Sequence, residues 1–320
     1  MPHDPPVTWT LVILTLASAA AAGLAIHRLW RPLPMRASGR AADATATSRR
    51  VPLEVRWVAA AVALGVAALL GYRWYAGDGR WQLLAHIDGL LAMSGLLAAA
   101  AWYVEGRSQL RGLAAFVLLA LTLMLAWAIC AAAWTYHPFD LERLDPVWEG
   151  LHLGGVYLGT ISAALAAAAG ATYLVAHHRM KSHHPPTGAA RLPSLETLET
   201  LIVRSASLGF VLLTLGLAAG IVVQAGVEAG ETQLGPRWWA SPKVWLATAA
   251  WGIYAVLMNA RRATAFRGAY AAWLSIAAMV LLVAVYGVAT AIPEDAATAP
   301  EAAAVRPADL TDPQPMGGER

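Results

Sequence analysis

Charged residues are scarce in this 320-residue chain. Asp, Glu, Lys and Arg together make up 13% of it, whereas 58% of the residues are hydrophobic. The charged share is about half of what soluble domains usually carry, and a soluble protein of this length could not hide so much apolar surface. A bilayer can accommodate it, because lipid is then the solvent for the outer faces of the helices.

Cysteine is almost absent, since Cys130 is the single one and lies inside an apolar run. This excludes an internal disulfide and any CxxC metal or redox motif, and we expect a packed, inert thiol. The chain also lacks a Walker sequence, the GxSxG and HExxH motifs and the haem-attachment motif CxxCH. Nothing in the sequence therefore indicates an ATPase or a protease.

Long apolar runs dominate what is present, and most reach the roughly 20 residues that a hydrocarbon layer of about 30 Å requires. The second run is short, so Arg56 and Arg73 at its ends would have to snorkel. Frequent Ala and Gly predict close helix packing in lipid. The fold class expected is all-α, a polytopic membrane helix bundle with eight transmembrane helices. The predicted spans are Val7–Leu29, Trp57–Tyr72, Leu83–Val104, Leu113–Tyr136, Leu151–Ala176, Ser205–Val227, Trp238–Met258 and Tyr270–Ile292.

The distribution of the cations predicts the orientation of the bundle. Of the 23 Lys and Arg residues, 15 lie in the loops after odd-numbered spans and 7 in the other loops and the tail. Arg204 stands apart, at the edge of the sixth span. Because short cytosolic loops are enriched in Lys and Arg, this bias places both termini outside. The same pattern explains the net charge of +3 without nucleic acid as a partner.

Some segments of the chain could be cleaved off as a signal peptide or could be disordered. The first apolar run resembles a signal peptide, but no Lys or Arg precedes it, so we expect a retained span. Residues 35–50 and the Ala-, Pro- and acid-rich tail at 293–320 lack the apolar content needed for folding, and we expect both to be disordered. Residues 1–292 are expected to form a single transmembrane helical domain that includes the loop at 35–50.

Tryptophan is concentrated in the predicted outer loop between spans six and seven. Trp238, Trp239 and Trp245 fall within eight residues, beside the cations Arg237 and Lys243. One interpretation is an aromatic belt, because the tryptophan ring is apolar and its N–H group is polar. The other is a flat platform for a planar ligand at the outer face, with the two cations meeting its carboxylates.

Histidines at the predicted outer face are candidate ligands. His152 opens the fifth span, and a histidine there is either a satisfied polar residue or an axial ligand for haem iron. His137 lies in the preceding outer loop, and His86 lies with Asp88 at the outer start of span three. Ionisable residues at membrane depth are functional candidates, although those near the surface are weaker ones.

Two His-His pairs lie between spans five and six, at His177, His178, His183 and His184. Such pairs can bind zinc. A zinc site needs fixed geometry, however, and the neighbouring Pro185-Pro186-Thr-Gly indicates a flexible loop. We interpret these histidines as part of a solvated loop.

Residues 208–220 read Leu-Gly-Phe…Leu-Thr-Leu-Gly…Gly, and they follow the segment 192–204. Further characteristic segments are Trp239 to Trp245, Phe266-Arg267-Gly268 and His86 to Glu105. Together these segments resemble the cytochrome c assembly proteins of the system II maturation pathway (CcsA/ResC type) and the related HemX-type membrane proteins. The resemblance spans about residues 81–290, and 208–220 is its most specific part. His152 falls where the family has a histidine opening its fifth span.

In that family a tryptophan-rich outer loop, the WWD motif, cradles haem, flanking histidines supply its axial ligands, and a partner presents the apocytochrome thiols. Pro242, Lys243 and Trp245 match the motif here, whereas Ser241 replaces its aspartate. Asn259 stands where the family often has histidine, and no histidine follows the last span. The resemblance therefore implies His152 as the haem-iron ligand, alone or completed by His137 or a partner's ligand.

The function expected from this resemblance is haem handling in cytochrome c maturation at the outer face of a bacterial inner membrane. The implied partners are other maturation membrane proteins and apocytochrome c, and the protein would hold haem rather than catalyse a reaction by itself. The alternative is a HemX-like assembly or regulatory protein of haem homeostasis that does not bind haem. A secondary transporter is weakened by the absence of an evident inverted repeat and of buried mid-membrane charge.

Overall fold

The computed structural model describes residues 5–30, 53–76, 86–107, 110, 112–134, 146–181, 192–229, 242–259 and 268–291. Every regular element in these ranges is helical, which confirms the all-α part of the predicted fold class. The helices are α1 (Pro5–Trp30), α2 (Leu53–Ala76), α3 (His86–Gly106), α4 (Leu113–Trp134), α5 (Pro146–Lys181), α6 (Leu195–Ala229), α7 (Pro242–Asn259) and α8 (Ala269–Ala291). The segments predicted to be disordered lie outside the described residues, and their order stays a prediction.

Seven of the eight described helices are long and apolar enough to cross a membrane, and the protein is a multi-pass membrane protein by this measure. The exception is α7, whose apolar part, Val244–Asn259, is shorter. The eight-span count therefore stays a prediction. The second span is not short, because α2 extends to 24 residues and includes both Arg56 and Arg73.

Consecutive helices run in opposite directions. His152 of α5 contacts Gly216 of α6, and the contacts of Gly155 and Gly159 fall progressively earlier along α6, as antiparallel packing requires. The same holds for α2 and α3, where Arg73 pairs with Asp88 and Arg56 with Trp102. The start of α5 and the end of α6 consequently share one end of the bundle, which we call the His152 end.

The best-packed pair of helices is α5 and α6. A Cβ at Gly155 would lie 2.7 Å from the backbone nitrogen and 2.8 Å from the Cα of Gly216, so the two backbones touch. Gly155 and Gly159 are four residues apart on α5, as Gly216 and Gly220 are on α6. Such small-xxx-small spacing is how helices approach closely where lipid supplies no hydrophobic driving force.

Exposed aromatic side chains form a belt at each end of the bundle. At the His152 end they are Trp9, Tyr72, Trp74, Tyr75, Trp148 and Trp245, and at the opposite end they are Trp57, Trp102, Tyr103, Tyr270 and Trp273. Trp57 and Trp74 of α2 are 17 residues apart, which is about 26 Å of helix. This separation fits a hydrocarbon layer of about 30 Å between the aromatic belts.

The surroundings of the charged side chains in the spans show how the bundle accommodates them. Arg56 lies over the ring of Trp102, with 4.9 Å between the guanidinium carbon and the ring centroid. Arg73 forms an ion pair with the buried Asp88, and Arg204 is exposed on α6.

Cys130, which we expected to be packed, is exposed. That expectation was wrong because Cys130 lies on the surface of α4 rather than between packed helices.

Candidate functional site

His152 is half-buried in the second turn of α5, four residues after the exposed Trp148. This spacing places it about 6 Å along the helix from the aromatic belt. Its Nδ1 lies 2.7 Å from the carbonyl oxygen of Gly216. A carbonyl only accepts hydrogen bonds, so Nδ1 carries the proton and donates. The imidazole makes no other hydrogen bond to the described residues, so none of them engages Nε2.

Glu149 precedes His152 by one helical turn, and the two side chains interact electrostatically. Its Oε1 is shielded from solvent and has no hydrogen-bond partner within the described part of the chain. The start of α5 thus places the His152 imidazole beside a carboxyl group. Residues three apart on a helix are neighbours on its surface, a spacing visible in the sequence, but the sequence analysis did not single out Glu149.

Trp245 is the one member of the predicted tryptophan loop whose side chain the structure describes. It lies in the first turn of α7 and is 64% exposed, at the same end of the bundle as His152. Helix α6 packs against both α5 and α7, so the two residues flank it. Trp245 and His152 therefore belong to two helices that both pack against α6.

The other candidate residues are described less fully or not at all. Lys243 and His86 lie in the first turns of α7 and α3, and their side chains are not described. Trp238, Trp239 and His137 lie outside the described residues. Their roles stay predictions, as does the contact of Arg237 or Lys243 with ligand carboxylates.

A polar cluster that the sequence analysis missed ties α3, α5 and α8 together. The Tyr286 hydroxyl donates a hydrogen bond to Met93 Sδ, 3.7 Å away, and lies 3.4 Å from Thr160 Oγ1. Tyr157, also on α5, lies against Gly89, where a Cβ would collide with its hydroxyl. These residues are far apart in sequence, so only the helix arrangement reveals the cluster. It adds polar contacts between α5 and two helices other than α6.

The first of the two histidine pairs, His177 and His178, lies at the opposite end of the bundle, near the end of α5. His177 is stacked against Tyr173 with 6.0 Å between the ring centroids, and it continues α5 with His178. Among the described residues no group of three or more His, Cys, Asp or Glu could hold a metal ion. His183 and His184 lie outside the described residues.

The fold and this site define a class of protein: a multi-pass α-helical membrane protein with a histidine at one end of its best-packed helix pair. The family model described as cytochrome C assembly protein matches residues 83–292. The chain belongs to the cytochrome c assembly protein family, which confirms the resemblance, and the match covers α3 to α8. No curated protein and no solved structure matches the chain.

Proposed function

We propose that this protein holds haem for cytochrome c maturation, with the His152 end of the bundle at the outer face of a bacterial inner membrane. Membership of the cytochrome c assembly family supports a role in that pathway. The observation that carries the proposal is the geometry of His152. Its Nδ1 is anchored to the Gly216 carbonyl, and a histidine held in this way at its other nitrogen is the usual form of an imidazole metal ligand.

The donors present fit one axial position of a haem. Bound haem would supply an iron that accepts an imidazole nitrogen, within a planar apolar ring bearing two carboxylates. His152 Nε2 is the proposed axial ligand. His137, His86 or a group from a partner protein would complete the coordination, and the sequence predicts that both histidines lie at the outer face.

In this proposal the tryptophan side chains pack against the flat face of the ligand. Trp238, Trp239 and Trp245 would cover the porphyrin, and Lys243 would meet a propionate. The exposure of Trp245 at the His152 end supports this, because an aromatic side chain that is not packed within its own bundle is available to a ligand. Other maturation membrane proteins and apocytochrome c are the proposed partners.

Haem titration into the purified protein in lipid nanodiscs tests the role of His152. We expect the parent to develop a Soret band and His152→Ala to lose or shift it. His177→Ala is the matched control, because His177 lies on the same helix at the opposite end. An unchanged spectrum in His152→Ala would move the ligand elsewhere, and no binding by the parent would favour a HemX-like protein that does not hold haem.

A further inference from the structure

The imidazole of His152 lies directly over Gly220 of α6. A Cβ at Gly220 would lie 2.8 Å from His152 Nδ1 and 2.9 Å from its Cε1. Both distances are shorter than van der Waals contact between such atoms. Any residue other than glycine at position 220 would therefore displace the ring from its present seat.

The turn of α6 that contacts the imidazole at Gly220 also provides the hydrogen-bond acceptor for His152. Within α6 the carbonyl of Gly216 accepts the helical hydrogen bond from the N–H of Gly220. A carbonyl oxygen has two lone pairs, and the second accepts the hydrogen bond from His152 Nδ1 at 2.7 Å. The ring position and the protonated nitrogen are thus both set by residues 216–220.

We propose that Gly220 is a positioning residue for ligand binding by His152. By lacking a side chain it admits the imidazole against α6, where the Gly216 carbonyl selects the tautomer with the proton on Nδ1. Nε2 is then the only ring nitrogen that can ligate a metal. The expected effect on haem binding rests on the proposed function. The tautomer of His152, in contrast, is a property of the haem-free protein.

A second close approach in the same helix pair provides a control that distinguishes the positioning of His152 from general helix packing. A Cβ at Gly159 of α5 would lie 2.8 Å from Cγ of Leu213 on α6. The steric demand is as tight as at Gly220, but the neighbour is an aliphatic side chain and His152 is not involved. Gly159→Ala is therefore the matched control for Gly220→Ala.

The test is nitrogen NMR of the haem-free protein, labelled with ¹⁵N-histidine and held in lipid nanodiscs. The signals of His152 are assigned by their loss in His152→Ala. We expect a neutral imidazole with Nδ1 protonated in the parent and in Gly159→Ala. In Gly220→Ala we expect the other tautomer or a mixture, because the displaced ring no longer reaches the Gly216 carbonyl.

Haem titration of the same three proteins gives the second readout. We expect Gly220→Ala to weaken haem binding about 10- to 100-fold, as the loss of an outer-shell partner usually does, and Gly159→Ala to bind like the parent. A parent His152 protonated on Nε2 would overturn the inference without any variant, as would a Gly220→Ala protein with the parent's tautomer. If the parent shows the expected tautomer but binds no haem, the proposed function fails and the positioning of His152 stands.

Discussion

At the scale of single residues, the exposed Trp245 allows the ligand platform to be distinguished from a membrane anchor. Aromatic rings bring more buried area to a ligand than a lysine does, and a lysine–carboxylate contact at a wet surface is screened. We predict that Trp239→Ala and Trp245→Ala weaken haem retention more than Lys243→Ala does. Haem titration of each purified variant measures the effect.

Trp273→Ala is the control for that series, because Trp273 is similarly exposed (62%) but belongs to the aromatic belt at the opposite end. It should change seating in the bilayer without affecting haem. If the Trp239, Trp245 and Lys243 variants all match the parent, the tryptophan loop is an interfacial anchor. The haem-holding proposal would then lose its aromatic support.

The sequence predicted which residues were candidates at the site but not how they are held. His152 could be selected because it opens an apolar run after Trp148-Glu149-Gly150. Its anchor at Gly216 and its seat at Gly220 could not be, because they depend on the register between two antiparallel helices. A shift of one residue in that register would turn Gly220 away from the imidazole, and no local pattern specifies it.

At the scale of helices, the contact between α5 and α6 predicts a steep dependence on side-chain size. A Cβ at Gly155 would meet the backbone of Gly216 and the carbonyl of Leu212, each within 2.8 Å. Backbone atoms cannot move aside as side chains do, so Gly155→Ala should destabilise the protein by about 1–3 kcal/mol, as overpacking usually does. Thermal unfolding in detergent measures this.

The neighbouring Gly154→Ala is the control, since a Cβ there would meet nothing within 4 Å. It should leave stability unchanged or raise it by up to about 1 kcal/mol, because alanine has the higher helix propensity. Equal thermal stability of Gly154→Ala and Gly155→Ala would contradict the close backbone approach of α5 and α6.

The helix boundaries show which parts of the helices periodicity and hydropathy predict and which parts they do not. The interior of every described helix coincides with a predicted span, because long apolar runs have no alternative in a bilayer. The predicted second span was too short because Arg56 was read as its boundary, whereas a cation can remain helical when it stacks on Trp102. The end of α5 and the start of α6 extend into polar sequence beyond the predicted spans.

At the scale of the whole molecule, the cation bias predicts which end faces the cytosol. Reporter fusions should report the cytosol near Arg40, Arg107, His183 and Arg262, and the outer side near Gly77, Asp140, Gly230 and Pro300. The alternating helix directions fix only which loops share an end, whereas the fusions assign the compartment. A swapped pair of neighbouring loops would mean a miscounted span, and α7 is the described helix whose short apolar part makes it the first to examine.

The central claim is that the His152 end of this bundle holds haem. The most direct measurement is the absorbance spectrum of the full chain purified in mild detergent from haem-replete bacterial membranes. We predict a Soret band in the parent that is lost or shifted in His152→Ala. A colourless parent that also fails to develop the band with excess haem would contradict the claim and leave a membrane assembly protein that does not bind haem.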